Sequence, residues 1–338
     1  MGNVFHGVLE AFAGKLAENN YTWINFPLEE GKQILAETLE AYAMSYSNTI
    51  LFSSARNDYG RKKIERILWR TVRTLQYQLQ KGKFLPQSFE LSFSSLEKLE
   101  SISIKLSEEE KMRLGGRIDR VDTFREGDHL YVKVVDYKSG NQNFQLAALY
   151  HGVQLQLVIY LNAAMELMQK KNPETTVHPG AFLYYHVSDP MIELKEELSE
   201  EEIEKQIYKE LRSNGIINDS PEVLSGIDTT HALKSDVAHL EYKKDGSLTS
   251  KSQVMTEKQI ELIQKYAIKK AEDLGKQILQ GEIGKEPMVL KDRDACTFCS
   301  YRQICGFDER LPGYVKRKLE EMEKEEILLQ MHRKVEEE

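Results

Sequence analysis

The spacing of apolar residues changes once along the chain, and this change constrains the fold more than any other feature of the sequence. From Gly2 to about Lys83, apolar residues recur at every third or fourth position, which predicts amphipathic helices, one of them over about Tyr59–Lys81. After Pro86 the spacing shortens to two, which predicts strands. We therefore expect an α/β protein in which a helical subdomain precedes a sheet.

The segments after Pro86 predict the order of the sheet. The strand candidates are Phe89–Phe93, Ile102–Ile104, Leu114–Val121, Leu130–Tyr137 and, after a helix over about Gln145–Lys170, Ala181–Val187. This β-β-β-α-β order suits a mixed or antiparallel sheet. Charged amphipathic helices are predicted over residues 196–213 and 256–280, with a polar, irregular stretch between them.

These patterns divide the chain into consecutive parts. They are a helical part over residues 1–85, a sheet-and-helix core over 86–195, a helical or irregular elaboration over 196–290, a cysteine segment over 291–310 and a charged C-terminal helix or tail over 311–338. After Pro312, Lys and Glu alternate in helical register, which is typical of a solvated helix or a fraying tail.

Composition and charge exclude some classes of protein. Apolar residues make up 41% of the chain, charged residues 30%, and charges interrupt every apolar stretch, so we expect no transmembrane helix and no membrane partner. The first residues lack the basic and apolar regions of a secretory signal, which favours the cytoplasm. A net charge of -8 argues against a protein coated with basic residues but is compatible with a local basic groove.

Two acidic residues and a lysine on predicted strands are the strongest candidates for chemistry. Sixteen residues lie between Asp119 and Asp136, and Lys138 follows two positions later. Neighbouring strands of a hairpin lie about 4.8 Å apart, so both carboxylates can converge on one hard cation, with Lys138 on the same strand face as Asp136. Phosphodiester hydrolysis needs this kind of water activation and charge stabilisation. The alternative is a strand that merely ends at the Ser139-Gly140 turn.

Four short motifs resemble a known family. They are Gly2-x-x-x-His6, Gly116-x-x-Asp119-Arg120, Asp136-Tyr137-Lys138 and Gln156-x-x-x-Tyr160. In this order they are similar to the motifs of the RecB-type branch of the PD-(D/E)XK nucleases, which implies a restriction-endonuclease-like core with a mixed central sheet flanked by helices. More narrowly, most of the chain resembles the C-terminal nuclease domain of the AddB family of helicase-nuclease subunits, through Leu51–Ser54, Gly115–Asp122, Val134–Ser139, Tyr184–Met191 and the cysteines.

The resemblance implies a metal centre. The ion would be Mg²⁺ or Mn²⁺, and its ligands would be His6, Asp119, Asp136 and the backbone carbonyl of Tyr137. An imidazole nitrogen is not a ligand that Mg²⁺ prefers, although Mn²⁺ tolerates it. Without the resemblance, His6 would more often be a surface or core histidine of a helix.

Further residues would complete this centre. The resemblance implies that Lys138 aids the attacking water and that Gln156 and Tyr160, four positions apart on one helix face, support the site. Alternatively, the two residues lie at the edge of the polar face of an amphipathic helix and have no catalytic role. Glu90, on the strand before the hairpin, is interpreted as a solvated residue and stays outside the predicted centre.

Cys296, Cys299 and Cys305 fall within ten residues, which indicates metal ligands and not a disulfide framework. A tetrahedral zinc site or a [4Fe-4S] cluster normally takes four protein ligands, and this sequence holds no fourth cysteine. In AddB-like nucleases the fourth cysteine lies upstream of the motif that ends at His6. The resemblance therefore implies a fragment of a longer parent, with an iron-sulfur cluster in the parent and an incomplete, locally unstable cysteine segment here.

The predicted helix over about Tyr59–Lys81 and the residues just before it are the candidate DNA contact. The candidates are Arg56, Tyr59, Arg61, Arg66, Trp69 and Arg73. The arginines would neutralise phosphates of single-stranded DNA and the aromatic rings would stack on bases, although a basic helix face is more often plain solvated surface. The sequence has no Gly-x4-Gly-Lys-Ser/Thr loop, so we expect no ATP site of that type.

The resemblance implies a metal-dependent deoxyribonuclease of exonuclease type. It would cut single strands unwound by a partner, an AddA-type helicase-nuclease subunit, during double-strand-break repair and recombination. The alternatives are a standalone CRISPR-associated or replication-type nuclease and a catalytically inactive DNA-binding scaffold of the same fold. The long helical insertion between His6 and Asp119 favours the AddB-like interpretation over the first, and the intact acidic pair with Lys138 argues against the second.

Overall fold

A computed structural model describes residues 2–46, 49–93, 99–140, 142–193, 198–230, 232–291 and 293–336. Residues 196 and 197 of a predicted helix and residues 337 and 338 of the predicted tail lie outside this description. The chain divides into two compact units, each built from separated stretches. The first unit is Met1–Leu99, Gly115–Phe144 and Tyr160–Glu257, and the second is Glu100–Leu114, Gln145–Ile159 and Lys258–Glu338.

The first unit begins with helices, as the apolar spacing predicted. They are α1 (Gly2–Glu18), α2 (Leu28–Ser45) and α3 (Ala55–Lys81), with a short 3₁₀ turn over Ile50–Phe52. Ser54 caps α3, because its side chain accepts a hydrogen bond from the amide of Asn57. Apolar residues of α1 and α3 are buried in one cluster together with Val135, Tyr137 and Tyr185 of the sheet. This packing holds α1 against the sheet.

The described residues from 85 to 255 contain the strands β1 (Leu85–Ser92), β2 (Ser103–Lys105), β3 (Lys111–Arg113), β4 (Arg117–Glu126), β5 (His129–Lys138), β6 (Thr176–His186), β7 (Asn214–Asn218) and β8 (Val254–Met255). In the first unit, six of them form one sheet in the order β1-β4-β5-β6-β7-β8. The pairs β5/β6 and β7/β8 are parallel and the other pairs are antiparallel. The sheet is therefore mixed, and β5 lies inside it.

The connections between these strands differ in part from the prediction. The helices are α4 (Leu146–Tyr150), α5 (Gln156–Lys171), α6 (Glu200–Glu210) and α7 (Pro221–Ile227). The single helix predicted over Gln145–Lys170 is wrong, because the chain breaks between α4 and α5, where Gly152 has a φ of +84°. The stretch predicted to be irregular contains β7, α7 and β8.

The second unit contains the β2–β3 hairpin and most of the C-terminal residues. Its further elements are α8 (Glu257–Leu279), which starts at the boundary, β9 (Met288–Leu290), β10 (Arg293–Asp294), α9 (Arg302–Cys305), β11 (Arg317–Lys318) and α10 (Lys324–Glu336). α10 agrees with the predicted charged C-terminal helix over this part of the chain, although it buries Ile327 and Met331. Across the described ranges, we find no helix that combines the length and the apolar character needed to cross a membrane.

Candidate active site

A row of acidic side chains crosses three neighbouring strands of the sheet. β4 and β5 pair from Arg120 and Val135 onward, so Asp119 and Asp136 are the next residues on the two strands. Glu90 lies between Phe89 and Leu91, which pair with Arg120 and Ile118 on either side of Asp119. Asp119 is 5% exposed and Asp136 is 3% exposed. The fold therefore brings the two predicted carboxylates together in a buried position and adds a third.

His6 of α1 lies against this row. Its Nδ1 is 3.1 Å from Oδ1 of Asp119 and 3.3 Å from Oε1 of Glu90. His6, Glu90 and Asp119 each offer one ligand atom, and these atoms lie within 4.8 Å of one another. Asp136 is not one of these three side chains, although it is the neighbour of Asp119 on the next strand. Three convergent donors of this type can hold a metal ion.

The interpretation of Glu90 as a solvated strand residue is wrong. Its side chain is 3% exposed and forms ion pairs with His6 and, at 2.5 Å, with Arg117. Its backbone φ is +46°, a left-handed conformation that costs a non-glycine residue on the order of 1–3 kcal/mol. One weak signal for this residue was present in the sequence, an acidic side chain on the strand that precedes the Asp119 strand.

Burial and neighbouring charges shift the pKa values of His6 and Asp136. Hydrogen bonds to Asp119 and then to Glu90 raise the pKa of His6 to about 10. Burial and then the charge of Asp119 raise the pKa of Asp136 to about 6, although Lys138 opposes this rise. A divalent cation would relieve the repulsion between the carboxylates, and a donor set of carboxylate oxygens with one imidazole suits Mn²⁺ better than Mg²⁺. The residues present therefore fit a divalent metal ion.

Lys138 lies at the end of β5, beside Asp136. Its Nζ is 2.5 Å from Oδ2 of Asp136 and 5.3 Å from the ring centroid of Tyr184. The Lys138 side chain is partly exposed, whereas the carboxylate of Asp136 is buried. The ammonium group therefore lies at the border between the acidic row and solvent, within reach of a water molecule or a phosphate.

Tyr137 touches this site through its backbone amide and its ring. Its amide donates a 2.5 Å hydrogen bond to Oδ2 of Asp119, which fixes that carboxylate. Its buried ring lies edge-on to His6 at 6.1 Å between centroids and also contacts Tyr185. The role of its carbonyl as a ligand stays a prediction.

Gln156 and Tyr160 lie one turn apart on α5, as the spacing predicted. Tyr160 is buried and packs edge-on against Phe93, with 5.5 Å between ring centroids. A Cβ atom at Gly116 would lie 3.1 Å from the Tyr160 ring, so glycine at this position allows a close approach. Gln156 is the exposed first residue of α5. The supporting roles of both residues stay predictions.

The basic face of α3 is largely occupied by acidic partners. Arg66 lies 2.8 Å from Asp189, and Arg73 lies 3.1 Å from Glu204. Arg70 contacts both of these carboxylates. Asp189 and Glu204 lie more than a hundred residues further along the chain, so inspection of the helix sequence could not reveal this neutralisation.

The other candidate DNA contacts lie mostly near the start of α3. Arg56 and Tyr59 are exposed, and the Tyr59 side chain is one of the more accessible aromatic groups at 71%. Arg61 lies over the ring of Phe52 and also forms an ion pair with a neighbouring aspartate in α3. Trp69 packs against the core of the first unit, so its ring is not a free stacking surface. Of the predicted set, Arg56 and Tyr59 are the most accessible to a nucleic acid.

The three cysteines lie together in the second unit. Cys296, Cys299 and Cys305 are free thiols that line one pocket, which is also lined by Arg302 and Lys316. Their sulfur atoms do not form a group of ligand atoms within 4.8 Å of one another, as those of His6, Glu90 and Asp119 do among the described residues. A cluster at this position stays a prediction.

Comparison with known proteins identifies relatives of the whole chain. The PD-(D/E)XK nuclease superfamily matches residues 1–306. Proteins named as the B-type subunit of an ATP-dependent helicase/deoxyribonuclease are similar to this chain: that of Lachnoclostridium phytofermentans is 37% identical and that of Clostridium kluyveri 35% identical. The alignments cover 97% and 100% of this chain, but 28% and 29% of the relatives.

A third relative of the same name, from Listeria monocytogenes, is 32% identical over 98% of this chain and 29% of its own length. The chain thus spans less than a third of the length of these curated relatives. The family match covers the α1 motif, the acidic strands and the cysteines alike. On this evidence the chain belongs to the PD-(D/E)XK nuclease superfamily.

Proposed function

We propose that this chain is the metal-dependent nuclease part of an AddB-type helicase-nuclease subunit, which hydrolyses phosphodiester bonds of single-stranded DNA. The observation that carries this proposal is the convergence of His6, Glu90 and Asp119 beside the Asp136–Lys138 pair. Buried carboxylates with one adjacent ammonium group are what metal-assisted hydrolysis requires. The superfamily match and the names of the relatives support the same activity.

The proposed centre holds Mg²⁺ or Mn²⁺. We assign as ligands His6, Asp119, Asp136 and the Tyr137 carbonyl. We add Glu90 because its carboxylate oxygen lies within 4.8 Å of the ligand atoms of His6 and Asp119. When bound, the ion supplies charge neutralisation on the phosphate and lowers the pKa of the attacking water. Its ligands hold the reacting groups in a fixed geometry.

The protein side chains then perform the remaining tasks. Lys138, with Nζ at the border of the buried row, orients the attacking water and stabilises the negative charge that grows on the phosphate. Gln156 and Tyr160 support the site from α5, and Arg56 with Tyr59 contacts the incoming strand. Because the relatives are named ATP-dependent helicases and this sequence lacks a phosphate loop, we assign unwinding to other parts of the complex, including an AddA-type partner.

The wider setting is part of the same proposal. We infer an exonuclease that processes unwound strands in the bacterial cytoplasm during double-strand-break repair and recombination. Cys296, Cys299 and Cys305 provide three ligands of a [4Fe-4S] cluster, and a residue elsewhere in the longer protein provides the fourth. We keep as proposed domains the consecutive parts that end at residues 85, 195, 290, 310 and 338.

A digestion assay tests the proposed function. The 338-residue chain is incubated with end-labelled single-stranded or duplex DNA in Mg²⁺, Mn²⁺ or EDTA, with an Asp119→Asn variant in parallel. We expect metal-dependent degradation that favours the single strand and is absent from the variant and in EDTA. Absence of cleavage under both metals, or equal cleavage by Asp119→Asn, would contradict the proposal.

A further inference from the structure

A second cluster of potential ligands lies at the other end of β5. Nδ1 of His129, the first residue of β5, is 2.9 Å from Nε2 of His178 on β6. The other ring nitrogen of His178, Nδ1, is 2.7 Å from a carboxylate oxygen of Glu257. His129 is seven residues from Asp136 along one strand, which corresponds to about 23 Å at 3.3 Å per residue. The cluster is therefore separate from the acidic row.

The contact with Glu257 fixes the tautomer of His178. A carboxylate accepts a hydrogen bond, so Nδ1 of His178 carries the proton and Nε2 presents a lone pair towards His129. A histidine that donates one ring N–H to a carboxylate while the other nitrogen binds a metal is a common arrangement in metalloproteins. His178 is therefore oriented as a metal ligand.

The distance between the two rings fits a shared ion. Two nitrogens that are each about 2.0–2.1 Å from one ion lie roughly 2.9–3.4 Å apart for ligand angles between square and tetrahedral. The observed 2.9 Å lies at the edge of this interval. His129 is exposed, so its ring can rotate and move its proton from Nδ1 to Nε2 as the ion binds.

The surroundings of the cluster are acidic. The backbone register pairs Glu126 with His129 across the β4–β5 turn, so both side chains leave the same face of the hairpin. Burial and then the charges of Glu222, Glu257 and Glu126 raise the pKa of nearby Tyr131, whose ring lies 5.4 Å from that of His178. A cation would be favoured in these surroundings.

From these observations we propose that His129 and His178 form a binding site for a divalent transition metal ion such as Zn²⁺, with Glu257 as the positioning residue for His178. Two imidazoles favour Zn²⁺, Ni²⁺ or Cu²⁺ over Mg²⁺, which prefers oxygen ligands. The ion would link the starts of β5 and β6. This inference does not depend on the proposed nuclease activity.

Zinc titration followed by NMR of ¹⁵N-labelled histidine rings tests the site. The thiols of the 338-residue chain are first alkylated with iodoacetamide, so that the cysteines do not bind zinc. The signals of His129 and His178 are assigned from His129→Asn and His178→Gln variants. We expect both signals to move together as zinc is added, and the response of His178 to disappear in His129→Asn.

Two further variants make the result specific. Glu257→Gln should weaken zinc binding at the pair about 10–100-fold, because it removes the negative charge of the acceptor that orients His178. His332→Asn is the matched control, since His332 is also exposed and 3.0 Å from a carboxylate, that of Glu336; it should leave the titration unchanged. Thermal unfolding in EDTA verifies that His129→Asn is folded, which we expect because the replaced ring is exposed.

Two results of these measurements would contradict the zinc site. Unmoved His129 and His178 signals at zinc concentrations that shift other histidine rings would overturn the proposal. An unchanged His178 response in folded His129→Asn would overturn it as well. Because the measurement reads ring signals and not DNA cleavage, failure of this site and failure of the proposed function are distinguishable.

Discussion

Individual side chains reach the acidic row from distant parts of the sequence. Asp119 and Asp136 meet because β4 and β5 pair in antiparallel register, and Glu90 and His6 arrive from β1 and α1. Each carboxylate is buried, so its negative charge has to be balanced within the protein or by a bound cation. This balance is the physical reason why we propose a metal ion at this position.

Replacing Glu90 tests whether it belongs to the metal centre. In Glu90→Gln the side chain keeps its shape but loses its charge, so we expect Mn²⁺ affinity to fall by at least about tenfold. Isothermal titration calorimetry measures this affinity. Glu10→Gln, a loss of the same charge at an exposed position of α1, is the control and should bind Mn²⁺ like the wild type. Equal affinity of Glu90→Gln and wild type would remove Glu90 from the centre.

A buried ion network on the sheet should control acid stability. Asp122 lies 2.8 Å from Arg120 and 2.9 Å from Lys133. Burial raises the pKa of Asp122, but these two cations outweigh burial and the net direction is downward. A lowered carboxyl pKa gives stability that is present above the unfolded pKa, near 4, and is lost as the pH falls further.

Asp122→Asn should therefore lower the free energy of unfolding by about 3–5 kcal/mol at neutral pH, because two buried cations lose their counter-charge. Its unfolding free energy should also depend less on pH below about pH 4 than that of the wild type. Urea unfolding at several pH values measures both effects. Asp128→Asn, in the exposed β4–β5 turn, is the control. A loss below about 1 kcal/mol in Asp122→Asn would contradict this role of the network.

The limits of sequence analysis are clearest for single residues. The motif residues Asp119, Asp136 and Lys138 could be identified because their spacing on alternating strands fixes their relative positions. Glu90 could not, since burial of a lone acidic residue depends on what packs over it. The ion pairs of Arg66 with Asp189 and of Arg73 with Glu204 were equally hidden, because tertiary contacts create them.

At the scale of elements, long periodic segments were predicted well and short ones were not. The structure confirms α3 and β5 within a few residues of their predicted bounds, whereas β6 begins at Thr176 and not at the predicted Ala181. The two-residue strand β8 and the five-residue strand β7 have too little periodicity of their own and exist because they pair with a formed sheet. The α4–α5 break was missed because one glycine in an apolar stretch is a weak signal.

Gly215 is a critical position for the pairing of β6 and β7. A Cβ atom there would lie 2.1 Å from the backbone oxygen of Phe182, which a rigid strand cannot avoid. Gly215→Ala should therefore lower the unfolding free energy by about 1–3 kcal/mol. Gly60→Ala, in open space on α3, should instead raise it slightly. Chemical denaturation compares the two variants. A free energy of unfolding of Gly215→Ala equal to that of the wild type would show that the strands tolerate displacement.

The molecule as a whole is assembled from interleaved stretches. Each compact unit combines residues from the first half of the chain with residues from later stretches. The first unit alone contains the acidic row, His6 and Lys138. Local periodicity carries no information about such interleaving, which depends on long-range packing.

Metal binding should stabilise the whole protein. Because the acidic row exists only in the folded state, an ion bound there adds about 2.7 kcal/mol when its free concentration is about a hundredfold above Kd. Differential scanning calorimetry should therefore show a rise in Tm with Mn²⁺. The rise should be largely absent in Asp119→Asn, and the same rise in both proteins would place the stabilising ion elsewhere.

The most direct measurement of the central claim combines Mn²⁺ binding with single-stranded DNA cleavage in the wild type and its variants. We expect Asp136→Asn to lose both, whereas Lys138→Ala should still bind Mn²⁺ but cleave about 10²–10³ times more slowly than the wild type. Lys171→Ala, at the exposed end of α5, is the control for loss of a positive charge. Wild-type cleavage rates in Asp136→Asn and Lys138→Ala would contradict a hydrolytic centre at these residues.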